Sequence, residues 1–165
     1  LDPAWHHVAS HLMEHLARLP FTLVLIALFF VLYPRAFWIP SWAQVGLGSL
    51  AILLAFALRF LMQYTLALLA FWVERVTALE QFHFLVYLFF SGVIAPLEVF
   101  PPPVRHFLAW TPFPYLVYFP ANLWVGIPVD ALRGFGMGLA WTGLFWLVNR
   151  WLWRKGLQQY SGMGA

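Results

Sequence analysis

The sequence has no cysteine and little charge, since only 9% of its 165 residues are charged. The absence of cysteine excludes disulfides, thiolate metal sites and a cysteine nucleophile. The formal net charge is +3 and the cations form no basic stripe, which argues against a nucleic-acid partner. Lysine occurs once, as Lys155, and it does not follow a phosphate-binding glycine-rich loop. We therefore expect no nucleotide or other cofactor in this chain.

Apolar residues dominate instead, because 63% of the chain is hydrophobic and 20% is aromatic. A soluble domain of this size buries only about two-thirds of the surface that its unfolded chain exposes, so it could not hide this much apolar area. The composition predicts one membrane domain surrounded by lipid. The chain opens with Leu1, Asp2 and Pro3 and lacks the basic region and apolar run of a signal peptide, so we expect a truncated start.

Long uncharged runs predict an all-α protein with four membrane-spanning helices. We place these helices near residues 17–33, 46–73, 81–97 and 131–153. The second merges two runs that only Arg59 separates, and its length of about 28 residues, roughly 42 Å, exceeds the bilayer thickness. Arg59 would either snorkel toward the Gly46 end or line an internal cavity on a substrate path.

Ahead of the first span, residues 4–18 have two contrasting faces. The polar face carries His7, His11, Glu14, His15 and Arg18 at spacings of three and four, opposite an apolar face. This pattern predicts an amphipathic helix over residues 1–18 that lies on the cytoplasmic surface and presents its polar face to a protein partner. The three histidines could also share a metal ion, but a solvated polar face is the simpler interpretation, and we expect no metal.

A proline-rich segment, residues 98–130, interrupts the apolar sequence before the last span. Prolines cannot continue a helix, and irregular backbone at membrane depth is tolerated only where protein or a water-filled cavity satisfies its polar groups. We expect two short, broken helices that re-enter the membrane from its outer side, with Asp130 capping the last span. The aromatic residues expected to form a girdle at this level are Phe107, Trp110, Phe113, Tyr115, Tyr118, Phe119 and Trp124.

The proline-rich segment could be a passive lid or a moving gate, and the sequence leaves both alternatives open. The residues expected to form the outer gate are Pro96, Glu98, Phe100, Pro101, Pro112, Phe113, Tyr115 and Tyr118. Glu98 is followed by Arg105 and His106, which favours an ion pair that steadies the turn over a contact with substrate.

The distribution of cations predicts the orientation of the chain. By position along the spans, Arg18, Arg75, Arg150, Arg154 and Lys155 fall on one side, and Arg35, Arg105 and Arg133 fall on the other. Because cytoplasmic loops carry the excess of Lys and Arg, the first set is expected to be cytoplasmic, with residues 154–165 as a cytoplasmic tail.

Several motifs in order resemble the ABC-2 type transporter permeases, of which this chain would be the last four of six spans. The matching residues are Phe71, Trp72, Glu74 and Arg75; Ser91, Gly92, Pro96, Leu97, Phe100 and Pro101; Pro112, Phe113, Tyr115, Tyr118 and Pro120; and Trp153, Arg154, Gly156 and Leu157. The resemblance covers nearly the whole chain. It implies a multi-pass permease of the bacterial inner membrane, paired with a second permease subunit and two ATPase subunits, that exports a substrate. It also implies a re-entrant helix pair between the last two spans.

On this interpretation the chain is not an enzyme, and its contacts with the ATPase are the functional residues to find. The expected coupling residues lie on the polar face of the first helix and in the loop ERVTALEQ, namely His7, His11, Glu14, Arg18, Glu74 and Arg75. Two other interpretations remain: a membrane scaffold that does not transport, and an intramembrane hydrolase that uses Ser91 and His83. Weakly charged, aromatic spans suit a lipid-like or amphipathic cargo, although contact with membrane lipid requires the same composition.

Overall fold

The computed structural model describes residues 20–36, 38–73 and 76–161, and the chain divides into two units, Leu1–Ile39 and Pro40–Ala165. All regular elements in these residues are helical, and no strand occurs among them. The all-α prediction is therefore confirmed for this part of the chain. The amphipathic helix predicted for residues 1–18 lies outside the described residues.

Among the described residues, two helices are long and apolar enough to cross a membrane, Trp42–Phe71 and Ala131–Gln158. Only 28% and 11% of their most apolar windows are buried, whereas the core helix of a soluble protein is mostly buried. Two of the four predicted spans thus have the required length. The other two correspond to shorter apolar helices, Pro20–Leu32 and Val76–Phe90, so a count of four spans stays a prediction.

The first unit contains helix α1, Pro20–Leu32, followed by a 3-10 turn at Pro34–Ala36. Most large side chains of α1 are exposed, as with Phe21 at 73%. An apolar helix with this exposure would be poorly solvated in water, which fits contact with lipid or with another subunit.

The second unit begins with helix α2, Trp42–Leu68, which a 3-10 turn extends to Phe71. Its start is fixed by a capping box, in which the Ser41 hydroxyl accepts a hydrogen bond from the Gln44 N–H and the Gln44 side chain accepts one from the Ser41 N–H. The predicted start at residue 46 is therefore wrong. Hydrophobicity alone set that boundary and ignored the polar pair that nucleates the helix.

Helix α3, Val76–Phe90, is shorter than the span predicted for residues 81–97. After it the chain bends through Gly92, whose φ of +89° is a left-handed conformation that other residues adopt only with strain. Pro96 then continues in an extended conformation. The predicted end of this span at residue 97 is wrong. Residues 91–97 are apolar, so hydrophobicity assigned them to the helix, but they form a bend after it.

The proline-rich segment does contain a broken pair of short helices, α4, Pro102–Leu108, and α5, Tyr118–Val125. Two 3-10 turns accompany them, Leu97–Val99 and Phe113–Tyr115. Of the prolines at 101–103 only Pro101 is extended before the helix, because proline is well tolerated in the first helical turn. Re-entry of this pair into a membrane stays a prediction.

Helix α6, Ala131–Ser161, begins where it was predicted, with Asp130 Oδ1 accepting a hydrogen bond from the Arg133 N–H at 2.9 Å. It continues past the predicted end at residue 153, so residues 154–161 are helical. No proline interrupts that stretch, and its cations, Arg154 and Lys155, are good helix formers that do not stop a helix.

Helices α2 and α6 run side by side in the same direction, and α5 packs against both. Glycines allow the close approaches: a Cβ at Gly134 of α6 would overlap the Phe119 ring of α5, and a Cβ at Gly48 of α2 would overlap the Trp124 ring. Small residues are typical of helix contacts in membranes, where exclusion from water does not drive association. Helix α5 is therefore seated by two aromatic rings on two glycines.

Candidate functional site

A cleft of about 250 Å³ lies between the proline-rich segment and the first turns of α6. Two arginines, Arg105 of α4 and Arg133 of α6, line it together with Asp130. Tyr115 and Tyr118 add their rings to the wall. Arg105 and Arg133 thus lie at the same end of this unit, as their shared assignment to one side of the membrane requires.

Most of the polar groups at this cleft already have partners. The Arg133 guanidinium lies 5.8 Å from the centroid of the Trp110 ring, and the Tyr115 hydroxyl donates to the Ala109 carbonyl at 2.6 Å. The Tyr118 hydroxyl donates a hydrogen bond to Glu98, which is the main reason that the pKa of Glu98 lies below its ordinary value. Arg105 adds to this lowering through its charge. The partner of the Glu98 carboxylate is therefore the Tyr118 hydroxyl, rather than Arg105 in the predicted ion pair.

The expected gate residues fall into three groups. Tyr115 and Tyr118 line the cleft, whereas Phe100 and Phe113 pack their rings against Phe90 at the end of α3, at 6.2 and 6.3 Å. The remaining four take structural positions at turns or helix ends: Pro96, Glu98, Pro101 and Pro112. The structure thus brings two of the eight predicted residues to the wall of the cleft.

The predicted aromatic girdle is only partly a surface feature. Phe107 and Trp110 are exposed, but Tyr115 and Phe119 are buried, and the other three residues are intermediate. The buried rings contact each other at 6.1 Å and belong to the core of the unit. Aromatic content alone could not separate rings that face lipid from rings that fix the helix pair.

A second, smaller cavity of about 90 Å³ lies between α2 and α3. Its polar lining consists of Arg59, Gln63, Glu80, His83 and Tyr87, and Leu116 of the proline-rich segment adjoins it. The Arg59 Nη1 atom donates to the Tyr87 hydroxyl at 3.2 Å, and the guanidinium carbon lies 4.8 Å from the centroid of the same ring. Arg59 borders this pocket but is itself exposed, so both alternatives that the sequence left open, snorkelling and lining a substrate path, stay predictions.

Ser91 and His83 do not form a hydrolase pair. Ser91 is fully buried, and within the described residues neither its hydroxyl nor the His83 Nε2 atom has a hydrogen-bond partner. The Ser91 carbonyl instead accepts a hydrogen bond from the Tyr118 N–H at 2.9 Å. A serine nucleophile needs a base within hydrogen-bond reach, which this arrangement lacks.

A family model described as "ABC-2 family transporter protein" matches residues 6–164. The chain belongs to the ABC-2 family of transporter proteins. No curated protein and no solved structure matched it. The family match and the apolar helices make the chain a multi-pass membrane protein and a transport component rather than an enzyme.

Motifs of this ABC-2 protein that are distant in sequence meet in the structure. Phe71 contacts the Trp153 ring at 6.4 Å between centroids, and a Cβ at Gly156 would lie 2.5 Å from Cδ2 of Phe71. Near the opposite ends of α2 and α6, a Cβ at Gly92 would lie 3.0 Å from Cβ of Tyr118. Residues of the four motifs that carried the resemblance thus contact one another in pairs near the ends of the helices. The coupling residues His7, His11, Glu14, Arg18, Glu74 and Arg75 lie outside the described residues.

A polar contact between α2 and α6 was not predicted from the sequence. Asn149 is buried, its side-chain nitrogen donates to the Leu61 carbonyl at 2.9 Å, and the Thr65 hydroxyl lies 2.7 Å from its Oδ1 atom. An uncharged polar residue inside an apolar run was a usable signal, because such residues commonly bridge helices in membranes.

Proposed function

We propose that this ABC-2 protein is the permease subunit of an exporter driven by a separate ATPase, and that its proline-rich segment gates the outer end of the substrate path. The observation that carries this proposal is the position of α5. This helix packs on both α2 and α6, and the cleft lined by Arg105 and Arg133 lies on one side of it. The polar cavity adjoins the same segment at Leu116. A change in the distance between α2 and α6 would therefore move the segment that separates the two spaces.

The attachment of the segment favours a moving gate over a passive lid. Within the described residues, one backbone hydrogen bond joins it to the end of α3, from the Tyr118 N–H to the Ser91 carbonyl. The Tyr118 hydroxyl adds one contact, to Glu98 within the segment itself. These polar contacts can break and form again at modest cost, whereas the packing of Phe119 and Trp124 on the glycines of α6 and α2 ties the segment to those helices, so we expect it to move with them.

Coupling to the ATPase would occur at the opposite end of the same helices. Permeases of this family generally work with an ABC ATPase. The polar face of residues 6–18 and the loop that contains Glu74 and Arg75 would receive the motion, and the contact of Phe71 with Gly156 would pass it to α6. We place this end in the cytoplasm of a bacterial cell, because Arg150, Arg154 and Lys155 lie there along α6.

A second permease subunit, identical or homologous, would complete the path together with two ATPase copies. The broad exposed apolar faces of α2 and α6 provide surface for that subunit as well as for membrane lipid. Co-purification with an ATPase, followed by a change in its hydrolysis rate when the permease is added, would separate a transporter from a scaffold. Charge reversal at Glu14 or Glu74 should weaken that association, and unchanged association and transport would refute the coupling site.

The gate itself can be tested by crosslinking, because the chain has no cysteine of its own. The 3.0 Å between a Cβ at Gly92 and Cβ of Tyr118 is close to the separation of about 3.5–4.5 Å found in disulfides. The double variant Gly92→Cys with Tyr118→Cys should lose export under oxidising conditions and regain it with reductant. The two single cysteine variants control for strain at Gly92. Full export by the crosslinked protein would show that the segment is a passive lid.

A further inference from the structure

Arg59 lies near the middle of the long helix formed by α2 and its 3-10 extension. It is 17 residues after Trp42 and 12 residues before Phe71, which places it about 4 Å from the midpoint at 1.5 Å per residue. If this helix is centred in the membrane, Arg59 lies at a depth where charged residues are rare, and those that occur mark substrate or ion sites or pair with another group. The partners of Arg59 therefore indicate its role.

The described residues satisfy only part of the guanidinium group. Nη1 donates to the Tyr87 hydroxyl at 3.2 Å, and the ring of the same residue covers one face of the group. An arginine side chain has five N–H donors, so most of its hydrogen-bonding capacity is left for other acceptors. Among residues 20–36, 38–73 and 76–161, no carboxylate lies within 4 Å of Arg59.

The cavity beside Arg59 collects further hydrogen-bonding groups. The buried Nε2 atom of His83 has no partner among the described residues, and Gln63 and Tyr87 share the same wall. Glu80 also lines the cavity and lies one helical turn from His83 on α3. The site thus has one cation, a free imidazole nitrogen and one carboxylate, in a volume of about 90 Å³.

We propose that this cavity binds the acidic group, a carboxylate or a phosphate, of an amphipathic molecule, with Arg59 as its main contact. Guanidinium groups form strong charge-assisted hydrogen bonds with both kinds of oxyanion. The volume suits an acidic head and not a whole amphipath, so the apolar tail must leave the cavity. Phe84 lines the cavity while remaining 53% exposed, which gives the tail a route to the lipid-facing surface.

The competing explanation is that Glu80 serves as the counter-ion of Arg59 and that no ligand binds. The two explanations predict opposite effects of removing the Glu80 charge. If an acidic group binds, Glu80 repels it, and Glu80→Gln should bind it equally well or more tightly. If Glu80 is the partner of Arg59, no acidic amphipath should bind to the unmodified protein, and the variants Glu80→Gln and Arg59→Gln should lose stability to a similar extent.

The test is a binding titration of the purified full-length permease, without ATPase, in phosphatidylcholine nanodiscs, followed by tryptophan fluorescence. Dodecanoate and dodecyl phosphate should bind, whereas dodecanol and dodecylamine should bind weakly. Arg59→Gln should weaken dodecanoate binding by about 10- to 100-fold, the loss expected for a charge-assisted hydrogen bond, and Arg59→Lys should weaken it less. Equal binding of dodecanol and dodecanoate, or no effect of Arg59→Gln, would overturn the proposal. Thermal melts of each variant confirm that it is folded.

Two further arms identify the source of the acidic group. If nanodiscs that contain phosphatidylglycerol compete with dodecanoate, the natural occupant is a membrane lipid, and if they do not, it is a free amphipathic acid. The inference rests on the proposed function only in treating this occupant as cargo. If dodecanoate binds but no ATP-dependent export occurs, the proposed exporter function is refuted and the acidic site stands. If export occurs but does not depend on Arg59, the acidic site is refuted and the exporter function stands.

Discussion

Replacing Gly134 by alanine should unseat α5, because the added Cβ would overlap the ring of Phe119. Phe119 is 5% exposed, and its ring is held by Phe135 at 5.2 Å and by Tyr115 at 6.1 Å, so it has no free space to enter. Overpacking of this kind costs about 1–3 kcal/mol. Gly136, two residues later on α6, has no atom within 4 Å of its Cβ position and provides the matched control.

Gly136→Ala should be neutral or stabilising by up to about 1 kcal/mol, because alanine is the better helix former. The two variants should therefore differ by roughly 1–4 kcal/mol, which corresponds to a difference in Tm on the order of 2–16 °C for a chain of this length. Thermal unfolding of the detergent-purified permease measures this difference. Adding Phe119→Leu to Gly134→Ala should recover much of the loss, since contacting residues are energetically coupled. Equal Tm values for the two alanine variants would refute the glycine seat.

Two other contacts make further predictions. Asn149→Leu should destabilise the pairing of α2 with α6 by about 1 kcal/mol, which is typical of hydrogen bonds between membrane helices. The control is Thr142→Val, which loses only a hydrogen bond within α6 and should therefore cost less. The same thermal melts measure both variants. Tyr118→Phe should raise the pKa of Glu98 toward its ordinary value of 4.5, because the hydrogen bond that favours the carboxylate is lost. In the native protein this bond stabilises the fold at neutral pH, and its contribution disappears as the pH falls through the lowered pKa. A carbon-13 NMR titration of the four glutamate carboxyls checks the shift, and an unchanged Glu98 pKa contradicts it.

The sequence predicted best the features that depend on proline and on capping. The broken helix pair and the start of α6 at Asp130 follow from local rules, and the structure confirms both. The boundaries of α2 and α3 were wrong because hydrophobicity is a poor guide to helix ends when turn residues are also apolar. The capping box at Ser41 was a readable signal that went unused.

The residues around the cleft and the cavity were harder to predict, because they are brought together by long-range packing. Arg105 and Arg133 lie on different helices, and only the seat of α5 on α6 brings them to one cleft. Similarly, Arg59 and Tyr87 are 28 residues apart, and no local pattern relates them. Arg59 could be identified as unusual from its position within an apolar run. Its hydrogen-bond partner could be identified only from the fold.

The second unit has a hydrophobic core, but it also buries a few polar side chains and leaves many large apolar side chains exposed. Ser91, Asn122 and Asn149 are buried, while large apolar side chains such as Phe56 remain exposed. In lipid, burying another leucine gains little, so glycines and polar groups determine which helix faces meet. In such a chain, small and polar residues within apolar runs help to indicate which helix faces are buried. Arg59 stands out in a different way, because it is an exposed charge at the edge of the contact between α2 and α3, where the Tyr87 hydroxyl is its hydrogen-bond partner among the described residues.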